Sequence, residues 1–191
     1  MKVRVFILSN DDLTSNVIFA PLFDSEDIDV IGVAFTATIL SGQRGGAVRH
    51  ALMLLGRTAP RFWAYQVFIN GAYKLGQKAG RGGGDFPSLR KLAVKRGIVV
   101  KSTSNFSSPE FVHALQEARP DLIVIRMNQL LASNVLEIAP YGVWCAHSSI
   151  LPAYGGIAGE LQGLADGDAS VGTTIFRVTA KLDAGEPLTQ L

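Results

Sequence analysis

Residues 120–156 read PDLIVIRMNQLLASNVLEIAPYGVWCAHSSILPAYGG. Two apolar, β-rich runs, DLIVIR at 121–126 and YGVWCA at 141–146, enclose a stretch at 130–138 with helical spacing of its apolar residues. A strand that returns to a strand through a helix implies parallel pairing. The second strand runs straight into Cys145, His147, Ser148 and Ser149 and then a proline-glycine loop. In open α/β sheets, sites form beyond the carboxyl ends of strands, so this is where chemistry is expected.

The same alternation extends outward. Residues 3–9 read as a buried first strand, 13–23 as a helix and 28–35 as a second strand, the size of one βαβ crossover. A helix at 87–96, a strand at 98–101 and a helix at 109–118 capped by Ser107 or Ser108 follow. Two final strands, 172–178 and 187–191, are joined by the turn Lys181-Leu182-Asp183-Ala184-Gly185-Glu186. The expected architecture is a Rossmann-like α/β sheet, mainly parallel and flanked by helices, in a single domain over residues 1–191.

One segment breaks the pattern. Residues 47–78 are rich in Leu, Phe, Trp and Tyr, with Arg49, Arg57, Arg61, Lys74 and Lys78 interspersed. They read as an inserted helical hairpin broken near Ala59-Pro60, the whole insert covering about residues 44–86 between glycine-rich flanks. The preferred reading is a cover for part of the sheet. A peripheral membrane contact, a partner contact or a homodimer interface through the same basic, aromatic face are the alternatives.

Composition narrows the class. The chain has 191 residues, 48% hydrophobic and 18% charged, well inside the globular range. A net charge of +2 is too small to argue for nucleic acid. One cysteine excludes an intramolecular disulfide and suits a reducing, cytoplasmic setting. Residues 1–12 do not resemble a signal peptide, because Arg4 interrupts the apolar run and Asn10-Asp11-Asp12 ends it. No apolar run approaches the length of a membrane span. Asp11 with Asp12 and Asp166 with Asp168 lack further ligands at metal spacing, so no metal is expected. His50 and His113 read as solvated.

Cys145 and His147 lie two apart and project to one side of an extended strand. Taken alone, that pair is more readily a small buried cysteine filling a strand end. The wider pattern says more. His147-x-Ser-x-Leu-Pro, followed downstream by Leu182-Asp183-Ala-Gly, resembles the folate-dependent formyltransferases, as do residues 120–156, 164–190 and 88–100 in that order. This family includes methionyl-tRNA, glycinamide ribonucleotide and sugar N-formyltransferases.

The resemblance implies transfer of a formyl group from 10-formyltetrahydrofolate to an amine, here expected on a small molecule and not a nucleic acid. It implies that His147 and Asp183 share the catalysis, the histidine as acid/base and oxyanion partner and the aspartate as its orienting carboxylate. The family's third catalytic residue, an asparagine, maps onto Cys145. It further implies that Asn128, Gln129, Ser148 and Leu151 line the folate pocket, although Asn128 and Gln129 equally suit a helix N-terminus and Ser148 a turn. A thiol is a weak, single donor and does not replace an amide. Three readings therefore stand for the site: formyl transfer without the amide, a Cys145-dependent acyl transfer through a thioester, or a ligand-binding fold without turnover. The family loop's arginine is absent from Pro152-Ala153-Tyr154-Gly155-Gly156, and the family's domain continues with a helix beyond the position of Leu191.

Overall fold

The computed structural model describes residues 1–36, 60–78, 88–127, 129–156 and 159–191. In chain order these form β1 (Val3–Ser9), α1 (Leu13–Phe19), a 3₁₀ turn (Ala20–Asp24), β2 (Ile28–Thr36), α2 (Pro60–Lys78), α3 (Leu89–Lys95) and β3 (Val99–Thr103). There follow α4 (Pro109–Ala118), β4 (Leu122–Arg126), α5 (Ser133–Leu136), β5 (Val143–His147), α6 (Gly159–Ala165), β6 (Thr174–Arg177) and β7 (Pro187–Gln190).

The seven strands form one sheet in the order β3-β2-β1-β4-β5-β6-β7. The first five pair in parallel, and β6 and β7 add on antiparallel. Alternation along the strands builds two cores. Phe6, Leu8, Ile123, Ile125 and Val143 face Phe111, Leu115 and Val135 on one side. Val5, Ile7, Val33 and Leu122 face Phe19, Leu89 and Ala93 on the other. Near-continuous apolar runs such as VFIL and LIVI are what a sheet covered on both faces demands. Because β1 and β4 are neighbours, the winding direction reverses between them. The carboxyl ends of β1, β4 and β5 therefore share the rim where such sheets bind ligands.

The expected architecture is present, with local corrections. The helix expected over 13–23 becomes a 3₁₀ turn from Ala20, where Pro21 supplies no N–H to continue the α pattern. The helix expected over 130–138 shrinks to Ser133–Leu136: Ala132 is extended, with φ of −73° and ψ of 156°, and serves as its N-cap, the Ala132 N–H donating to Ser107 Oγ at 3.0 Å. A helix at Gly159–Ala165 was not expected from a sequence containing Gly159 and Gly163. The second half of the inserted hairpin is α2, which begins at Pro60, a residue suited to a first helical turn. It buries Tyr73 and leaves Tyr65, Val67, Phe68 and Leu75 exposed. The first half, and both glycine-rich flanks, lie outside the described residues.

Candidate active site

The site is built on the loop that follows β5. Cys145 and His147 project to the same face, as period-two geometry requires, and Cys145 packs against the Phe6–Leu8 core. The His147 ring meets Phe176 of β6 edge-on, with centroids 6.4 Å apart. Its Nε2 lies 3.1 Å from the Tyr154 carbonyl oxygen. A carbonyl only accepts, so Nε2 carries the hydrogen and Nδ1 is left as the ring's basic atom.

Asp183 approaches the same loop from the β6–β7 turn. Its carboxylate accepts from the Gly156 N–H at 2.7 Å. The residue has φ of 47°, and two positions on, Gly185 passes so close to β6 that a Cβ there would lie 1.6 Å from the Arg177 carbonyl oxygen. Only glycine lets the turn close at that point. The loop thus joins His147, through the Tyr154 carbonyl, to Asp183, through the Gly156 amide. Among the described residues no hydrogen bond joins His147 to Asp183 directly. The orienting partner of the ring is a backbone carbonyl, which the sequence carries no sign of.

The loop is fixed from beneath. Thr174 is fully buried; its hydroxyl donates to the Ser149 carbonyl at 2.7 Å and accepts from the Leu151 N–H at 3.0 Å. Gln190 Nε2 donates to the Leu151 carbonyl at 2.7 Å and to the Thr174 hydroxyl at 3.0 Å. The Ser149 hydroxyl donates to the Tyr154 carbonyl, and the Tyr154 hydroxyl donates to Asp168 at 2.6 Å, which pushes the phenol up to about 12. Gly159 backs this junction, since a Cβ there would lie 2.5 Å from both Ser149 Oγ and the Tyr154 carbonyl oxygen.

Burial pushes the Cys145 thiol up to about 12, against the opposing pull of the Arg126 charge and with added repulsion from Asp183. At neutral pH it is a thiol, not a thiolate, which disfavours a nucleophilic role. The folded protein keeps this proton above the thiol's ordinary value of 9.0, so stability falls as pH rises from about 9 towards 12. Iodoacetamide should therefore label native Cys145 at pH 7.5 at least roughly tenfold more slowly than the urea-unfolded chain. Equal labelling rates would show that the thiol is neither buried nor held protonated.

Three of the remaining expected site residues are tied into the frame. Gln129 bridges to Asn105 at 3.3 Å and accepts from the Phe106 N–H at 3.2 Å. Ser148 donates to Glu160 of α6 at 3.1 Å. Leu151 is 4% exposed, and both its backbone groups are held by Thr174 and Gln190. In this arrangement Leu151 supports the loop and presents no surface to a ligand. Asn128 lies outside the described residues. No group of three or more metal-ligating side chains occurs among the described residues, and none of their helices is long and apolar enough to cross a membrane.

One residue at the rim was not singled out from sequence: Arg126, the last residue of β4. Its Nη1 lies 3.4 Å from the Ala146 carbonyl oxygen, and its Nε is buried without a hydrogen-bond partner. The available signal was a charge closing an otherwise apolar strand, LIVIR. Beside it, Asn10 Oδ1 at the end of β1 is also buried and unpartnered.

The family profile described as "Formyl transferase" matches residues 87–191, which include the whole loop, the Asp183 turn and β3 to β7. The methionyl-tRNA formyltransferase of Akkermansia muciniphila is 36% identical over 106 residues, covering 55% of this chain and 34% of that protein. The methionyl-tRNA formyltransferase of Xylella fastidiosa is 38% identical over 115 residues, covering 59% and 38%. The chain thus spans about a third of the length of the curated relatives it matches. Among solved structures, glycinamide ribonucleotide transformylase 1 from Symbiobacterium toebii aligns over 100% of this chain and 72% of its own, with a TM-score of 0.62 at 17% identity. A formyltetrahydrofolate deformylase from Pseudomonas syringae aligns over 100% and 50%, with a TM-score of 0.61 at 17% identity. At that identity the structural likeness speaks for the fold alone. The profile match covers more than half of the chain and falls on the loop and turn that the geometry brings together, and the chain belongs to the formyl transferase family.

Proposed function

We propose that this chain transfers a formyl group from 10-formyltetrahydrofolate to a primary amine, with His147 as the acid/base. The observation that carries this reading is the single loop that holds Nε2 of His147 at the Tyr154 carbonyl and Asp183 at the Gly156 amide. That tie orients the ring and leaves Nδ1 to take the amine's proton as it attacks. Asp183 contributes negative charge near the imidazolium that forms and holds the glycine segment of the loop in place. A formyl carbonyl needs hydrogen-bond donors for its oxygen and a base nearby for the incoming amine, and His147 Nδ1 meets the second need.

The small-molecule acceptor expected from sequence has mixed support. The curated relatives are named for methionyl-tRNA, so the absence of a nucleic-acid partner does not follow from them. The fold neighbour from Symbiobacterium is named for glycinamide ribonucleotide. What the two acceptor classes share is a primary amine beside a carbonyl group, and that is the acceptor class we assign.

The test is formyl transfer by the purified chain from 10-formyltetrahydrofolate, with methionyl-tRNA and glycinamide ribonucleotide as parallel acceptors and donor binding followed by calorimetry. Formylated product with either acceptor supports the reading. Donor binding without formyl release to any acceptor or to water would sink it, and would favour the ligand-binding alternative.

Asp183 allows a separate prediction. Asp183→Asn keeps an oxygen to accept from Gly156 but removes the charge, whereas Asp183→Ala removes both. We expect turnover to fall by roughly 10²-fold in both variants, while only the alanine variant loosens the loop. Amide exchange at Gly156 distinguishes them. Full activity in Asp183→Asn would leave Asp183 as a loop tie alone.

A further inference from the structure

We infer that Arg126 is the charged hydrogen-bond donor of the transfer site, doing the work of the amide that this chain lacks at position 145. The inference rests on the formyl-transfer reading and adds a residue that reading does not use.

The register of the sheet sets Ile125 beside Cys145, so Arg126 lies level with Ala146. Carbonyl directions along β5 follow from its neighbours. Gly142 accepts from Ile123 of β4, while Val143 accepts from Val178 on the β6 side. Alternation then turns the Ala146 carbonyl towards β4. Arg126 Nη1 approaches that oxygen at 3.4 Å, a long and weak contact. The Arg126 side chain leaves β4 on the face of Leu122 and Val124, opposite to Cys145, and its guanidinium reaches across the strand ends to the Ala146 carbonyl. It is at the rim that Cys145 and His147 also reach. Its influence on the Cys145 thiol is a second sign of this proximity.

Among the described residues the charge has no counter-ion. Arg90 is 3.9 Å from Asp11, and Arg96 pairs with Asp24 at 2.5 Å. Among the described residues no carboxylate lies within 4.0 Å of Arg126, and its Nε is buried with no acceptor. A partly desolvated guanidinium without a partner is costly to maintain. Such groups recur where a ligand, or a reaction, supplies the missing negative charge. A permanent anion on the substrate and the charge that develops on a formyl oxygen are the two sources. The reach of Arg126 to the strand end that carries Cys145 and His147 argues for the second.

The chemistry is balanced as follows. The acceptor nitrogen forms a bond to the formyl carbon while the carbonyl π pair moves onto oxygen, and Arg126 donates an N–H to that oxygen. The pair then returns, the bond from carbon to the folate nitrogen breaks, and the proton released by the amine passes through His147 Nδ1 to that nitrogen. The products are the formamide and tetrahydrofolate. A protonated thiol offers one weak donor to the oxygen, whereas a guanidinium is always charged and carries five N–H groups.

The experiment compares Arg126→Gln and Arg126→Lys, each in the native background and with Cys145→Asn. Formyl release from 10-formyltetrahydrofolate, donor binding by calorimetry and melting temperature are read for every variant. We expect Arg126→Gln to lower kcat by roughly 10²–10³-fold, with KM and donor affinity little changed. Arg126→Lys, which keeps the charge, should fall between the two. The loss from Arg126→Gln should shrink to about tenfold or less once Cys145→Asn restores an amide, since the two donors serve one oxygen. A purely structural arginine predicts a lower melting temperature and equal losses in both backgrounds, which would overturn the inference. A raised KM with unchanged kcat would overturn it in favour of a substrate anion. If Arg126→Gln does not fold, Arg126→Lys in the two backgrounds carries the same comparison. Native protein that binds the donor but releases no formyl group overturns the activity reading, and this inference with it. An active native protein indifferent to Arg126 overturns this inference alone.

Discussion

Replacing His147 by glutamine should leave a folded protein that binds the formyl donor but turns it over roughly 10²–10⁴-fold more slowly. Glutamine is chosen because its amide N–H can donate to the Tyr154 carbonyl, as Nε2 of the histidine does at 3.1 Å. The variant thus retains the loop's tie to β5 and loses only the base at Nδ1. His147→Ala removes both functions and should be slower still, with its loop less protected against amide exchange. Added imidazole should restore part of the alanine variant's rate, because a free base can enter the space the ring vacates. If glutamine proved as active as histidine, the proton would be moving elsewhere, and the role assigned to Nδ1 would be wrong.

The largest effect on stability is expected from Thr174→Val. The change conserves shape but strips the hydroxyl from a junction where both flanking residues of the loop converge. The Leu151 N–H loses its acceptor and the Ser149 carbonyl loses this donor, in a place where Thr174 is fully buried and Ser149 is 1% exposed. Two buried orphans at the usual cost give about 2–6 kcal/mol. For a domain of this size that corresponds to a fall in Tm of roughly 4–24 °C. Thr174→Ser keeps the hydroxyl and should recover most of the loss. Differential scanning calorimetry of the three proteins decides the matter, and a valine variant as stable as the serine one would show that the hydroxyl bonds contribute nothing net.

Much of this architecture was readable before any coordinates. Apolar runs such as LIVIR and GVWCA announce strands buried on both faces, and the turn from Lys181 to Glu186 announces a hairpin. The pairing of His147 with a distant Asp183 came from motif order, and the structure brings both to one loop. What could not be read shares a physical cause: it depends on backbone groups or on neighbours distant in sequence. The Tyr154 carbonyl that holds the His147 ring has no side-chain signature. The helix at Gly159–Ala165 is hidden by glycines that are present for close approach to Ser149 and Tyr154, not for helix propensity. Arg126 is an ordinary strand terminus until the register sets it level with Ala146, one residue past Cys145. The helix after β4 starts late because Ala132 is extended, a backbone state fastened by Ser107 from another loop.

The antiparallel addition of β6 and β7 has a consequence for the order in which the protein becomes competent. The parallel part of the sheet, β1 to β5, is complete in sequence by His147, and a chain emerging from the ribosome can pack it first. The loop at 148–156 cannot take its working shape at that stage. Its fastenings, Thr174, Asp183 and Gln190, arrive only with the following hairpin, sealed by the mutual backbone bonds of Thr173 and Leu191 at 2.9 and 3.0 Å. During synthesis the fold therefore precedes the site, and a nascent chain stalled before the hairpin would carry His147 ahead of a loop that lacks its fastenings.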